Sequence, residues 1–172
     1  MTSPALKHYG SAEMFELKKL SSEAVPAALE KANRYRLLNE PGAAESIYLD
    51  VLAVDPDNQE ALRNIILSMS DRFGKDYVVG DARVAEYIMR LHDDYERNYY
   101  TGIMYERRAK ATLHKNGVGA YELFRQAMDC FEKAEAMRPS GNDDPILRWN
   151  GCARVITANN LQPRDMGSDF LE

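Results

Sequence analysis

The chain has 172 residues, of which 45% are hydrophobic and 28% charged, with a formal net charge of -5. That length suits one compact domain rather than two ordinary ones, and the composition excludes wholesale disorder. The acidic balance makes a general nucleic-acid binder an unlikely class, because neutralising phosphates needs a basic field.

The N-terminal residues contain no long apolar stretch. Neither a secretory signal nor a membrane anchor is expected there, and a cytoplasmic location is the default expectation. Over residues 8–20 apolar and charged positions alternate at helical spacing, with Met14, Phe15 and Leu17 on one side and Lys18 and Lys19 outside. This predicts a short N-terminal helix, and residues 1–24 are read as a cap. Ser21 and Ser22 then suit a helix start.

A helix is predicted from about Pro26 to Asn39, with proline tolerated in its first turn. Asn39-Glu40-Pro41-Gly42 is a turn. The next helix covers about Ala43 to Val54 and stops at Asp55-Pro56, since the residue before proline avoids helical geometry. Asp57 and Glu60 have the spacing of a capping box for a strongly apolar helix from Gln59 to Phe73. Gly74 to Gly80 reads as a loop, and Asp81 is placed to cap a helix from Ala82 to Glu96. Further helices are predicted over Tyr100–Lys115, ended by Asn116-Gly117, over Ala120–Met137, ended by Arg138-Pro139, and over Pro145–Ala158, capped by Asp144. Residues 159–172, with Pro163 and Gly167, read as a poorly ordered tail. The fold class expected is all-α.

Chemical signatures are few. GxxxxGK[ST], GxGxxG, HExxH and GxSxG do not occur, and with them go the phosphate cradles, zinc sites and nucleophile elbows they build. His8, His92 and His114 are widely spaced, and Cys130 and Cys152 form no CxxC pair. No metal, no cofactor and no enzymatic activity is therefore expected. Asp93-Asp94 and Asp143-Asp144 sit near helix ends, where acids cap and solvate. Tyr95, Tyr99, Tyr100 and Tyr105, with Arg97, Arg107 and Arg108 nearby, read first as packing between units. The same mixture suits an interface hot spot or stacking on single-stranded RNA.

The organising signal is an internal repeat of helix pairs joined by short turns. Residues 25–58 resemble a tetratricopeptide repeat, whose pattern is W-x2-L-G-x2-Y, A-x3-F and P. Ala28, Lys31, Ala32 and Tyr35 stand at the four first-helix places, Ala44 and Tyr48 at the A-x3-F places, and Pro56 at the last. Leu62, Ile65, Ile66 and Met69, followed by Ala85 and Met89, fit a second unit with about seven extra residues in its turn. Tyr105, Arg108, Ala109 and Thr112, then Ala127, Phe131 and Pro139, fit a third, also lengthened. Trp149, Cys152, Ala153 and Ile156 look like an unpaired capping helix. Residues 25–158 then form the repeat domain. Small residues at Ala32 and Ala44 let paired helices approach, and Pro56 stops the second helix.

The resemblance implies a right-handed α-α superhelix of antiparallel pairs, a TPR-like solenoid whose first helices line a concave groove. It implies a protein–protein interaction module, an adaptor or chaperone-like scaffold, with Asn33, Arg36, Arg63, Asn64, Arg107, Lys110, His114, Asn150 and Arg154 in or beside the groove and Glu60, Asp71 and Glu106 as its acidic members. Some relatives grip the acidic tail of a chaperone with a two-carboxylate clamp. Asn33, Asn64 and Arg107 match three clamp places, but Leu29 and Ile103 stand where its lysines belong, which argues against that ligand. The expected partner is another protein or a peptide, with acidic segments among the candidates. A homodimer is an alternative, as is kinship with the small repeat chaperones of bacterial secretion systems. Membrane is not expected, and nucleic acid is a lesser alternative.

Overall fold

The computed structural model describes residues 15–75 and 80–164. Among them are seven α-helices and no strands: α1 (Val25–Leu37), α2 (Pro41–Val54), α3 (Gln59–Asp71), α4 (Asp81–Ile88), α5 (Asp94–Lys115), α6 (Ala120–Met137) and α7 (Asp144–Ala158). A single 3-10 turn, Ser22–Ala24, leads into α1. No helix among the described residues is long and apolar enough to cross a membrane.

Local chemistry accounts for most boundaries. Asn39 adopts a left-handed conformation (φ 63°), and the amides of Leu38, Asn39 and Glu40 fold back onto carbonyls of Arg34, Arg36 and Tyr35, closing α1. Pro41 opens α2, where its missing N–H costs nothing. The Asn58 side chain caps α3 by accepting from Ala61 N at 2.9 Å, so the cap is Asn58 and not the expected pair Asp57 and Glu60. Glu60 is used elsewhere, as described below. Gly117 (φ 72°) turns the chain after α5. The cap of α7 is Asp143, one residue ahead of the expected Asp144.

Three expectations are corrected. The described part of the N-terminal segment, residues 15–20, is not helical. Phe15 and Leu17 are 88% and 85% exposed, and only Leu20 packs against the first core cluster, so the apolar face expected there finds nothing to cover it. Residues 8–14 lie outside the described residues, as do 165–172 of the expected tail. The predicted helix over 82–96 ends at Ile88, and α5 starts at Asp94 rather than near Tyr100. The Asp93 side chain accepts from Tyr95 N at 2.7 Å, and Arg97 reaches back to the Leu91 carbonyl. Together these fix a new helix start inside a run of good helix formers. Finally, the inward residues of α4 are Val84 and Ile88, while Met89 is 73% exposed. The family template placed the inward pair one residue too late, at Ala85 and Met89.

Consecutive helices pack against each other throughout, and α1 also meets α3, and α3 meets α5. Two apolar clusters result. The first joins α1 to α4 through Leu29, Tyr48, Leu62, Ile65, Ile66, Met69 and Val84. The second joins α5, α6 and α7 through Ile103, Phe124, Ala127, Phe131 and Cys152. Ala32 and Ala44 are fully buried, as close approach of α1 and α2 demands. In the second cluster the corresponding device is Gly102. A Cβ there would lie 2.5 Å from the Phe131 ring, so the ring packs flush on the bare backbone of α5.

Candidate interaction face on the odd-numbered helices

A chain of polar contacts runs across α1, α3, α5 and α7. The Asn33 amide donates to Glu60 Oε1 at 3.0 Å and its oxygen accepts from the Tyr48 hydroxyl. Arg36 of α1 lies 3.5 Å from Asp71 of α3, and Arg107 of α5 lies 3.0 Å from the other oxygen of the same carboxylate. Arg107 also donates to the Leu67 carbonyl at 2.7 Å. Arg63 of α3 pairs with Glu96 of α5 at 3.1 Å. Glu106, buried on α5, takes Lys110 on one oxygen and Arg148 of α7 on the other at 3.1 Å. Each odd-numbered helix is therefore bridged to the next by a charged pair, and those residues share one face of the molecule.

The environment tunes these charges. Burial lowers the pKa of Arg107, working against the pull of Asp71. Burial also opposes the charge on Arg148, but Glu106 and Tyr99 hold its pKa above the ordinary value. Burial pushes the Tyr48 hydroxyl up to about 12, so it stays a donor to Asn33 through the neutral range.

Between the C-terminal ends of α3 and α5 lies a pocket of about 370 Å³, lined among others by Lys75, Arg107, Lys110, His114 and Arg148. A second cavity beside it, about 500 Å³, shares Lys75 and His114 and adds Lys115. A third hollow, about 480 Å³, lies between the start of α1 and α3, with Asn33 and Glu60 in its wall.

The residues singled out from sequence divide in two. Asn33, Arg36, Arg63 and Arg107 lie on the bridged face, but each is engaged by a neighbouring helix. Asn64 donates to the Glu60 carbonyl of its own helix at 3.0 Å. Lys110 and His114 are exposed at the pocket, Asn150 is half-buried and Arg154 is exposed. The sequence reading missed Arg148, which faces α5 one turn before Cys152. Cys152 is buried, with its thiol pushed up to about 12 by that burial, and the four-residue spacing to Cys152 was the signal available for Arg148. Asp71 and Glu106, expected as acidic members of the groove, each take two cations in the polar chain.

The tyrosine cluster packs internally. Tyr95 stacks on Tyr99, with centroids 5.7 Å apart. Tyr99 also meets Tyr100 edge-on and lies against Phe131. Asn142, from the loop before α7, donates to the Tyr95 hydroxyl at 2.8 Å.

Comparison with family models, with curated proteins and with solved structures finds no match for this chain.

Proposed function

We propose that this chain is a tetratricopeptide-like interaction module, built as a solenoid of antiparallel helix pairs, that binds a segment of another polypeptide along the face made by α1, α3, α5 and α7. The observation that carries this reading is the bridging of four odd-numbered helices by charged pairs across one face, with the pocket of about 370 Å³ opening on it. The bridges consume much of the polar capacity of that face. They hold α1, α3, α5 and α7 at fixed spacing, which lowers the cost of ordering the site when a partner arrives. Recognition then falls to the exposed members, Lys110, His114 and Arg154, and the surplus of cations favours an acidic segment.

The test is capture from native lysate by the wild type and by a His114→Glu/Arg154→Glu variant, with Lys133→Glu on α6 as the control, read by mass spectrometry. Loss of a specific polypeptide from the double variant, with retention by the control and an unchanged circular dichroism spectrum, supports the reading. The same captured set from all three chains overturns it.

One observation favours a second reading, self-association. Phe15 and Leu17 project into solvent ahead of α1, where single exposed apolar residues are common but paired ones suit a neighbour. Light scattering before and after deletion of residues 1–22 separates a dimer from a monomeric adaptor.

A further inference from the structure

We propose that the pocket of about 370 Å³ between the C-terminal ends of α3 and α5 binds a phosphate monoester carried on a side chain of the bound polypeptide. The site stands on its own geometry; that the phosphate arrives on a polypeptide rests on the function proposed above. Charge, free donors and enclosure point the same way.

The charge balance comes first. The wall holds four permanent cations, Lys75, Arg107, Lys110 and Arg148, against two carboxylates, Asp71 and Glu106. Arg36 reaches Asp71 from α1 and brings the cations to five. The helix dipoles oppose an anion here, since the carbonyl ends of α3 and α5 each carry about half a negative charge. With that cost included, a surplus of about two positive charges remains. A carboxylate supplies one negative charge, whereas a phosphate monoester supplies about 1.5 to 2 at neutral pH.

The second observation is the supply of donors. Both contacts of Arg107, to Asp71 at 3.0 Å and to the Leu67 carbonyl at 2.7 Å, run through Nη1. Nη2 and Nε of the same fork remain for a ligand. The Lys110 ammonium spends one N–H on Glu106 and has others to give. Arg148 meets Glu106 through Nη1. Lys75 has no ion pair among the described residues. These donors approach from α5, from α7 and from the chain just after α3. The oxygens of a carboxylate lie in one plane. The three acceptor oxygens of a phosphate monoester point in three directions and suit donors on three sides.

The third is enclosure. The Arg107 and Arg148 side chains are only 17% and 34% exposed, and Phe73 and Ala111 complete the wall. Ion pairs formed there are screened less than on open surface. Burial already lowers the pKa of Arg107 against the pull of Asp71, so a second anion beside that guanidinium is favoured.

The probe is N-acetyl-phosphoserine methylamide, titrated into the full chain at about pH 8, where its phosphate carries both charges. Binding is followed by the backbone amide resonances of residues 106–114. N-acetyl-aspartate methylamide is the singly charged comparison. The variants are Lys110→Gln and Lys110→Glu, with Lys133→Gln on α6 as control. Lys110 is exposed and Glu106 keeps Arg148 when it is replaced, so folding is retained. Saturable shifts at the pocket support the proposal when the phosphorylated probe binds about tenfold tighter than the aspartate probe. Weakening by about fivefold in Lys110→Gln, with loss in Lys110→Glu and no change in the control, supports it as well. Shifts that do not saturate, equal affinity for the two probes, or unchanged affinity in Lys110→Glu overturn it. Capture from native lysate, with and without phosphatase treatment, tests the carrier. A polypeptide lost both on phosphatase treatment and in Lys110→Glu supports the proposal. One that survives phosphatase but is lost from the His114→Glu/Arg154→Glu chain overturns it and leaves the proposed function in place. A probe that binds while no chain captures a polypeptide overturns the polypeptide carrier together with the proposed function, and assigns the pocket to a free phosphorylated small molecule.

Discussion

The helix pairs α1–α2 and α5–α6 solve one problem in different ways. Both must bring two backbones close. The first pair does so with alanines, Ala32 and Ala44, each fully buried, on helices of 13 and 14 residues. The second uses a bare glycine under an aromatic ring, Gly102 beneath Phe131, on helices of 22 and 18 residues. Alanine contacts are forgiving, since neighbouring aliphatic side chains repack. A ring pressed on a glycine is a single-residue fit with little slack. The second pair is expected to be longer, stiffer and more sensitive to change at one point.

The largest expected effect tests that fit directly. Phe131→Ala removes the ring that joins α5, α6 and Tyr99 and should cost about 3–5 kcal/mol, read as a fall in the urea midpoint with an unchanged slope. A cost below about 1 kcal/mol would mean that the second cluster collapses as freely as the first. Next comes Glu106→Gln. It leaves Lys110 and Arg148 without their carboxylate, and because both cations are partly exposed the loss should be about 2 kcal/mol rather than the larger figure of a fully buried pair. By contrast the same assay on Glu30→Gln, whose pair with Arg34 is exposed, should show almost nothing.

Gly102→Ala follows. The added Cβ lies 2.5 Å from the ring, so Phe131 must move, at about 1–3 kcal/mol, partly offset by the gain of about 1 kcal/mol from replacing glycine in a helix. A net loss of about 1 kcal/mol is expected from thermal melts. Net stabilisation would show that the ring has room to retreat and would remove the contrast between the two pairs.

What was legible in the sequence follows the same division. Pro41, Pro56 and the Asn116-Gly117 stop act through local backbone chemistry, so α1, α2, the end of α5 and the start of α6 were readable within a few residues. The break between α4 and α5 was not. Residues 89–94 contain no proline or glycine, and the break is fixed by Asp93 capping Tyr95 and by Arg97 bonding the Leu91 carbonyl, choices that depend on how α5 packs. The shift from Ala85 and Met89 to Val84 and Ile88 has a physical reason as well: the bulkier branched side chains fill the space against α3 and α5, and a template cannot weigh that. On the odd-numbered helices, the repeat register singled out Asn33, Arg36, Arg63 and Arg107, and each of the four makes a polar contact with a neighbouring helix. Their partners were not readable. Whether a guanidinium is held by Asp71 or left open turns on a few degrees of helix rotation, and the same few degrees hid Arg148.

The smallest effect separates the two clusters by pH. Each contains a group whose neutral form burial favours: Tyr48 in the first, with its pKa raised from 10.0 to about 12, and Cys152 in the second, raised from 9.0 to about 12. A raised folded pKa means that the folded chain keeps its proton where the unfolded chain has lost it. The associated stability is complete below the unfolded value and declines as pH climbs from there toward about 12. Because the thiol begins at 9.0 and the phenol at 10.0, the interval from pH 9 to pH 10 reports mainly on the second cluster. Stability should fall there by about 1 kcal/mol for the Cys152 thiol alone, and Cys152→Ala should make that stretch shallower, with Cys130, also raised by burial, supplying the rest, while Tyr48→Phe leaves it in place and makes the decline above pH 10 shallower, where Tyr100 contributes as well. If Tyr48→Phe alone removed the fall below pH 10, the α1–α2 pair would be the alkali-sensitive one, and the greater sensitivity assigned to the glycine-and-ring fit of α5 and α6 would have to be given up.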